Sequence, residues 1–313
     1  MDTLDKEESK MQKQKLFSLA SFNTGAKIDD YLALCKLKVV VVMLITAVVG
    51  MLLATDAIPA LSTITIGLLG IGLVTSSGAA INHVMDKKID AAMLRTKWRP
   101  IPQGKVSSQQ ALLFAFIIGA LGIYLLAAFI NPLTAWLTLF SLVGYAIIYT
   151  VWLKRATPQN IVVGGLAGAA PPLLGWTAVS GEITSDSLLL VLIIFAWTPP
   201  HFWALCLART KDYAKAGVPM LPITHGERYT KLHIILYSIL LVLSTTLPFL
   251  TAMSGVVYLI LVTILNIRFM HWAIKVFRDV KNSQMGMFRY SISYLMLLFA
   301  ALLVDHYVYL LIK

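Results

Sequence analysis

Long apolar runs recur along the chain, and short segments between them hold nearly all of its charge. A run of about 20 apolar residues is long enough to cross a bilayer as a helix. Helices are the expected spanning element because backbone groups in lipid find no water to bond. The pattern predicts nine spans, at 38–55, 61–84, 109–130, 133–152, 160–180, 186–208, 231–252, 255–277 and 288–310. The expected fold is therefore an all-α polytopic membrane protein, with nine transmembrane helices in a single bundle. Residues 1–31 read as a polar N-terminal tail and residues 32–313 as one transmembrane domain. The third and fourth spans are joined only by Asn131-Pro132, which makes them an antiparallel pair. The second span is rich in small residues up to Asn82, which permits close helix contact. The fifth carries Gly164-Gly165-Leu166-Ala167-Gly168-Ala169-Ala170-Pro171-Pro172. That density suits tight packing against neighbouring helices, or leaves room for a bulky planar substrate.

Composition agrees with a membrane protein. Of the 313 residues, 58% are hydrophobic and 13% charged, against about 25% charged in soluble domains. A net charge of +11 would suit nucleic acid, but its placement argues against that partner. Every Lys and Arg except Lys313 lies in the tail or beside loops on one side of the membrane. The positive-inside rule then gives a cytoplasmic N-terminus, an external C-terminus and an odd number of spans. The first apolar run starts near Val39, too far in for a signal peptide, and Asp2, Asp5, Glu7 and Glu8 are foreign to a mitochondrial transit peptide. A bacterial cytoplasmic (inner) membrane is the expected location. Cys35 and Cys206 read as packing residues.

The candidate chemistry begins where the second span ends. Asn82, Asp86 and Asp90 are four apart, and at about 100° per residue they stack along one helix face. Such oxygen ligands suit Mg²⁺, which usually takes one or two carboxylates, waters and substrate phosphates. Arg95, Lys97, Arg99 and Lys105 follow, able to hold a diphosphate. Arg95 and Arg99 are again four apart and read as one anion-binding face, whereas Lys87 and Lys88 read as pointing to the headgroups. The sixth span ends in a similar way, with Arg209 and Lys211 around Asp212. Ionisable groups within a membrane bundle tend to be functional. His201 follows Pro199-Pro200, where a distorted helix tends to line a cavity, and an imidazole there suits haem iron. His83 lies off the Asn82 face and ranks below it.

The segments Asn82-x-x-x-Asp86-x-x-x-Asp90 and Arg95-Thr96-Lys97-x-Arg99-Pro100 resemble the first signature of the UbiA superfamily of intramembrane prenyltransferases. Lys154-Arg155-x-Thr157-Pro158-x-Asn160, Pro171-Pro172-Leu173-Leu174-Gly175-Trp176, Thr198-Pro199-Pro200-His201-Phe202-Trp203 and Asp212-Tyr213-x-x-Ala216-Gly217-Val218-Pro219 resemble its haem-farnesylating branch. Members acting on aromatic quinone precursors carry a further Asp where this chain has Ala216. The resemblance implies transfer of farnesyl from farnesyl diphosphate to a vinyl group of haem B, with addition of water, giving haem O and diphosphate. It implies Mg²⁺ on Asn82, Asp86, Asp90 and Asp212, the three acids being catalytic. Diphosphate would lie on Arg95, Lys97, Arg99, Arg209 and Lys211, with His201 as the haem-binding candidate. The active site would face the cytoplasm. Membrane lipid surrounds such an enzyme, and a haem A synthase or terminal oxidase assembly is the candidate protein partner. Two other readings are a prenyltransferase of aromatic quinone precursors and a cation-coupled transporter. The transporter would need its acids at midplane, and here they cluster at the span ends.

Overall fold

The computed structural model describes residues 25–312. Within them all regular structure is helical, and every expected span is present. Helix α1 (Ile28–Leu34) leads into α2 (Leu37–Leu53) across a 52° bend. At the bend Lys36 takes a left-handed backbone, φ 50°, which is uncommon away from glycine. Helix α3 (Leu61–Met85) passes into the short α4 (Lys87–Ala92). Next come α5 (Ser108–Phe129) and α6 (Pro132–Val143), which widens into a π-helical segment, Gly144–Leu153. The fifth expected span is two helices, α7 (Asn160–Gly168) and α8 (Pro171–Ser180), because the Pro171-Pro172 pair restarts the winding. The chain continues through α9 (Ser185–Ala208), α10 (Thr210–Lys215), α11 (Leu221–Thr224), α12 (Gly226–Leu250), α13 (Val256–Phe277) and α14 (Ser283–Ile312). Most of the expected polar tail lies outside the described residues, and α1 begins inside its boundary.

Among the described residues eight helical spans are long and apolar enough to cross a membrane, and the bent α1–α2 pair makes a ninth. Lipid gives helices little hydrophobic reason to associate, so close backbone approach and polar bonds take over. The α2–α8 crossing shows this. A Cβ on Gly50 would sit 2.0 Å from the Pro172 carbonyl oxygen, and one on Gly175 would sit 1.9 Å from that of Ala47. The two helices touch backbone to backbone. Phe116, Trp136, Phe140, Ile260, Ile264 and Ile267 face outward and stay exposed, as lipid contact allows. Inside, Trp203, Tyr258, Phe269, Tyr294 and Phe299 fill the core between α9, α12, α13 and α14.

The glycine-rich stretch of α7 and α8 is mostly occupied by protein. Gly164 is covered by the Tyr149 ring, which a Cβ would meet at 2.1 Å, and Gly165 faces Thr198. Only Gly168 in this stretch opens onto space within 4 Å. Close packing, rather than a substrate slot, explains most of these glycines.

Candidate functional site: a buried acid set at one end of the bundle

Asn82 and Asp86 follow one helical register, with the Asp86 amide donating to the Asn82 carbonyl at 2.9 Å. The Asp90 amide donates in turn to the Asp86 carbonyl at 2.7 Å, which carries the register through into α4. The expected single face is therefore formed. It turns inward: Asn82 is 4% exposed, Asp86 2% and Asp90 3%. Three polar residues this deeply covered need partners, since an unpaired buried charge is expensive.

Two lysines distant in sequence supply some of them. Lys36 Nζ donates to Asn82 Oδ1 at 2.6 Å, and Lys154 Nζ pairs with Asp86 Oδ2 at 2.5 Å. Asn82 Nδ2 donates to the same Asp86 oxygen at 2.9 Å. Arg99 pairs with Asp90 Oδ2 at 2.7 Å, and the Thr96 hydroxyl donates to the Asp90 carbonyl at 3.0 Å. Asp86 Oδ1 is buried and takes no hydrogen bond. Neither Lys36 nor Lys154 was singled out as a site residue from sequence. Their signal was weak: one is the charge just before the first apolar run, the other opens the Lys154-Arg155-x-Thr157-Pro158 segment.

The expected basic residues are dispersed. Helix α4 stops at Ala92 and Met93 is extended, so Arg95 and Arg99 share no helix face. Arg99 serves Asp90. Arg95 lies beside Tyr213 in one cleft, and burial pushes the Tyr213 phenol up to about 12, keeping it neutral. Lys97 lies 4.6 Å over the Trp98 ring, and Lys105 sits 3.8 Å from Asp30. Lys87, Lys88 and Lys211 are exposed.

The loop after α9 does approach the first site. Met93, Arg95, Arg209, Asp212 and Tyr213 line one small cleft, and Arg209 is 3.7 Å from Asp212. Asp212 does not join Asp86 and Asp90 in a single cluster. Among the described residues no three acid, His or Cys side chains converge on one point. Magnesium needs no such cage, because one or two carboxylates plus substrate phosphates suffice. The unpartnered Asp86 Oδ1, with the oxygens of Asn82 and Asp90 nearby in register, fits that demand.

His201 is buried and clamped. Its Nδ1 lies 2.6 Å from Ser291 Oγ. Its ring stacks on Trp197 at 4.2 Å and on Phe288 at 4.6 Å. His83 is buried with neither ring nitrogen hydrogen-bonded. Cys35 and Cys206 are free and buried.

Among the described residues, up to nine spans form a helical bundle with carboxylates and counter-cations drawn together, and its sequence sets it in one class, the membrane-embedded prenyltransferases. The sequence model of the UbiA prenyltransferase family matches residues 43–309, and the chain belongs to that family. Among its relatives is the protoheme IX farnesyltransferase of Hahella chejuensis, 59% identical over 92% of this chain and 97% of the relative. Solved structures share the fold. A digeranylgeranylglyceryl phosphate synthase superposes with a TM-score of 0.75 at 21% identity, covering 89% of this chain and 98% of that one. A UbiA homologue from Archaeoglobus fulgidus, bound to DMAPP and Mg²⁺, superposes with a TM-score of 0.62 at 16% identity, covering 87% and 99%.

Proposed function

We propose that this chain transfers the farnesyl group of farnesyl diphosphate to a vinyl group of haem B, with addition of water, giving haem O and diphosphate. One observation carries the choice of substrates: the 59% identity to the Hahella chejuensis protoheme IX farnesyltransferase, over 97% of that protein. The divalent ion would be Mg²⁺, as in the Archaeoglobus fulgidus homologue, and Asn82, Asp86 and Asp90 would hold it, with Asp212 as the candidate ligand from the second loop. When bound, the ion supplies charge to the departing diphosphate.

The protein's own groups do the rest. Lys36 and Lys154 already reach the acid set and can hold phosphate oxygens beside it. Arg95, Arg99, Arg209 and Lys211 can form an outer basic rim, while Lys97 is held aside over Trp98. As the allylic C–O bond breaks, the electron pair leaves with the diphosphate. The apolar bundle keeps bulk water from the farnesyl cation. The haem vinyl group attacks that cation, one water molecule adds beside the porphyrin, and a proton is released. His201 orients or ligates the haem: Ser291 fixes Nδ1 and the flanking rings fix the plane, which gives Nε2 one direction.

The distribution of Lys and Arg supports a site and N-terminus on the cytoplasmic side of a bacterial inner membrane, with the C-terminus outside. Haem O would pass to a haem A synthase or a terminal oxidase assembly. Membranes containing the chain, given haem B, farnesyl diphosphate and Mg²⁺, should yield a more hydrophobic haem on extraction. An unchanged haem profile there would overturn the substrate assignment.

A further inference from the structure

The π-helical segment Gly144–Leu153 has no part in the steps above, yet it touches the proposed metal site. π winding is rare and concentrates at functional positions. Its Thr150 is 0% exposed, and the Thr150 hydroxyl donates to the Tyr145 carbonyl, five residues back, at 2.8 Å. A hydroxyl has one proton to give. With that proton committed to backbone, Thr150 can only accept from a third group. The donor is Asn82 Nδ2, at 3.3 Å.

We propose that Thr150 is a positioning residue for prenyl transfer, locking the Asn82 amide so that its carbonyl oxygen, and not its NH₂, faces the cation site. This rests on the reading above that Asn82 is a metal ligand, and it adds how the ligand is oriented. The amide has two other partners, and neither can hold it through a turnover. Lys36 occupies the Asn82 oxygen itself. Asp86 receives Nδ2 at 2.9 Å on Oδ2, an oxygen it also shares with Lys154, and its carboxylate would bind the cation through the bare Oδ1. Thr150 competes with neither. Its anchor is the i−5 carbonyl that the wide π turn brings into reach. A flipped amide would aim two N–H donors at a cation.

The test measures Mn²⁺ binding to the purified full chain by electron paramagnetic resonance, without substrate, and alongside it the Mg²⁺ dependence of turnover. Thr150→Val, which keeps the shape and removes the acceptor, should weaken Mn²⁺ binding by about tenfold, and Thr150→Ser should restore it. Thr150→Ala serves if the valine variant does not accumulate. Asn82→Asp replaces the amide by a group with oxygen at both ends, so in that background Thr150→Val should cost less than about twofold. An equal loss in both backgrounds overturns the positioning role, because it would mark a packing defect. Wild-type Mn²⁺ binding in Thr150→Val overturns it as well, provided that Asn82→Ala weakens binding. Should Asn82→Ala itself bind normally, the ligand assignment fails first.

Discussion

Asp86 and Asp305 are both buried acids in a membrane bundle, at 2% and 5% exposure, and they are treated in opposite ways. Asp305, on α14, accepts the Gly255 amide at 2.5 Å on Oδ2 and the Tyr258 amide at 2.9 Å on Oδ1. Both oxygens are used, and both donors belong to the start of α13, whose first turn has amides with no partner inside the helix. Around it the polar groups close on one another. Tyr258 donates to the Thr245 carbonyl at 2.7 Å, Tyr294 to Asn266 Oδ1 at 2.6 Å, and Asn266 to Thr245 Oγ1 at 3.0 Å. Asp86 instead shares one oxygen between Lys154 and Asn82 and leaves the other bare. Its partners are side chains rather than backbone. A satisfied buried acid is a joint in the framework, and an unsatisfied one beside lysines is a place for a ligand.

That contrast can be tested by exchanging the two sites' fates, starting with the largest effect. Asp86→Asn should lower haem product by about 10³-fold, roughly 4 kcal/mol of transition-state stabilisation. The protein should still insert and purify, which size-exclusion chromatography checks. Asp305→Asn should do the reverse. Turnover per folded molecule stays within about twofold, while the lost cap costs about 1–2 kcal/mol, read from thermal unfolding in detergent. If Asp305→Asn abolished turnover in well-folded protein, the distinction between the two acids would collapse. Lys154→Met keeps the length of the side chain and removes its charge, and should raise the KM for farnesyl diphosphate by about tenfold. Lys97→Ala should be nearly silent, within about twofold in kcat/KM, because Lys97 lies over Trp98 and touches no acid of the set.

Much of this was legible in the chain. The fourth expected span, 133–152, is matched by Pro132–Leu153, because a lipid-facing helix must be apolar along its whole length. The Asn82–Asp86–Asp90 face followed from helical spacing alone. What failed to show had a tertiary cause. Lys36 and Lys154 reach Asn82 and Asp86 across 46 and 68 residues of chain, and nothing local ties either to the acid set. The π winding of Gly144–Leu153 was hidden because a run apolar on every side carries no periodicity to read. Arg95 and Arg99 misled for a local reason. The spacing of four implies a shared face only where the backbone is helical, and it ceases to be so after Ala92.

The crossing of α2 and α8 bears on how the molecule is made. Gly50 and Gly175 sit against backbone of the opposite helix, so α2 gains this backbone contact only once α8 has left the ribosome. Between them α3, α5, α6 and α7 must enter the bilayer. Helix α2 therefore has α3 beside it but lacks its backbone-to-backbone partner while α8 is still being translated. A bulkier residue at Gly50 should show first as turnover by membrane quality-control proteases, before any defect in catalysis is measured.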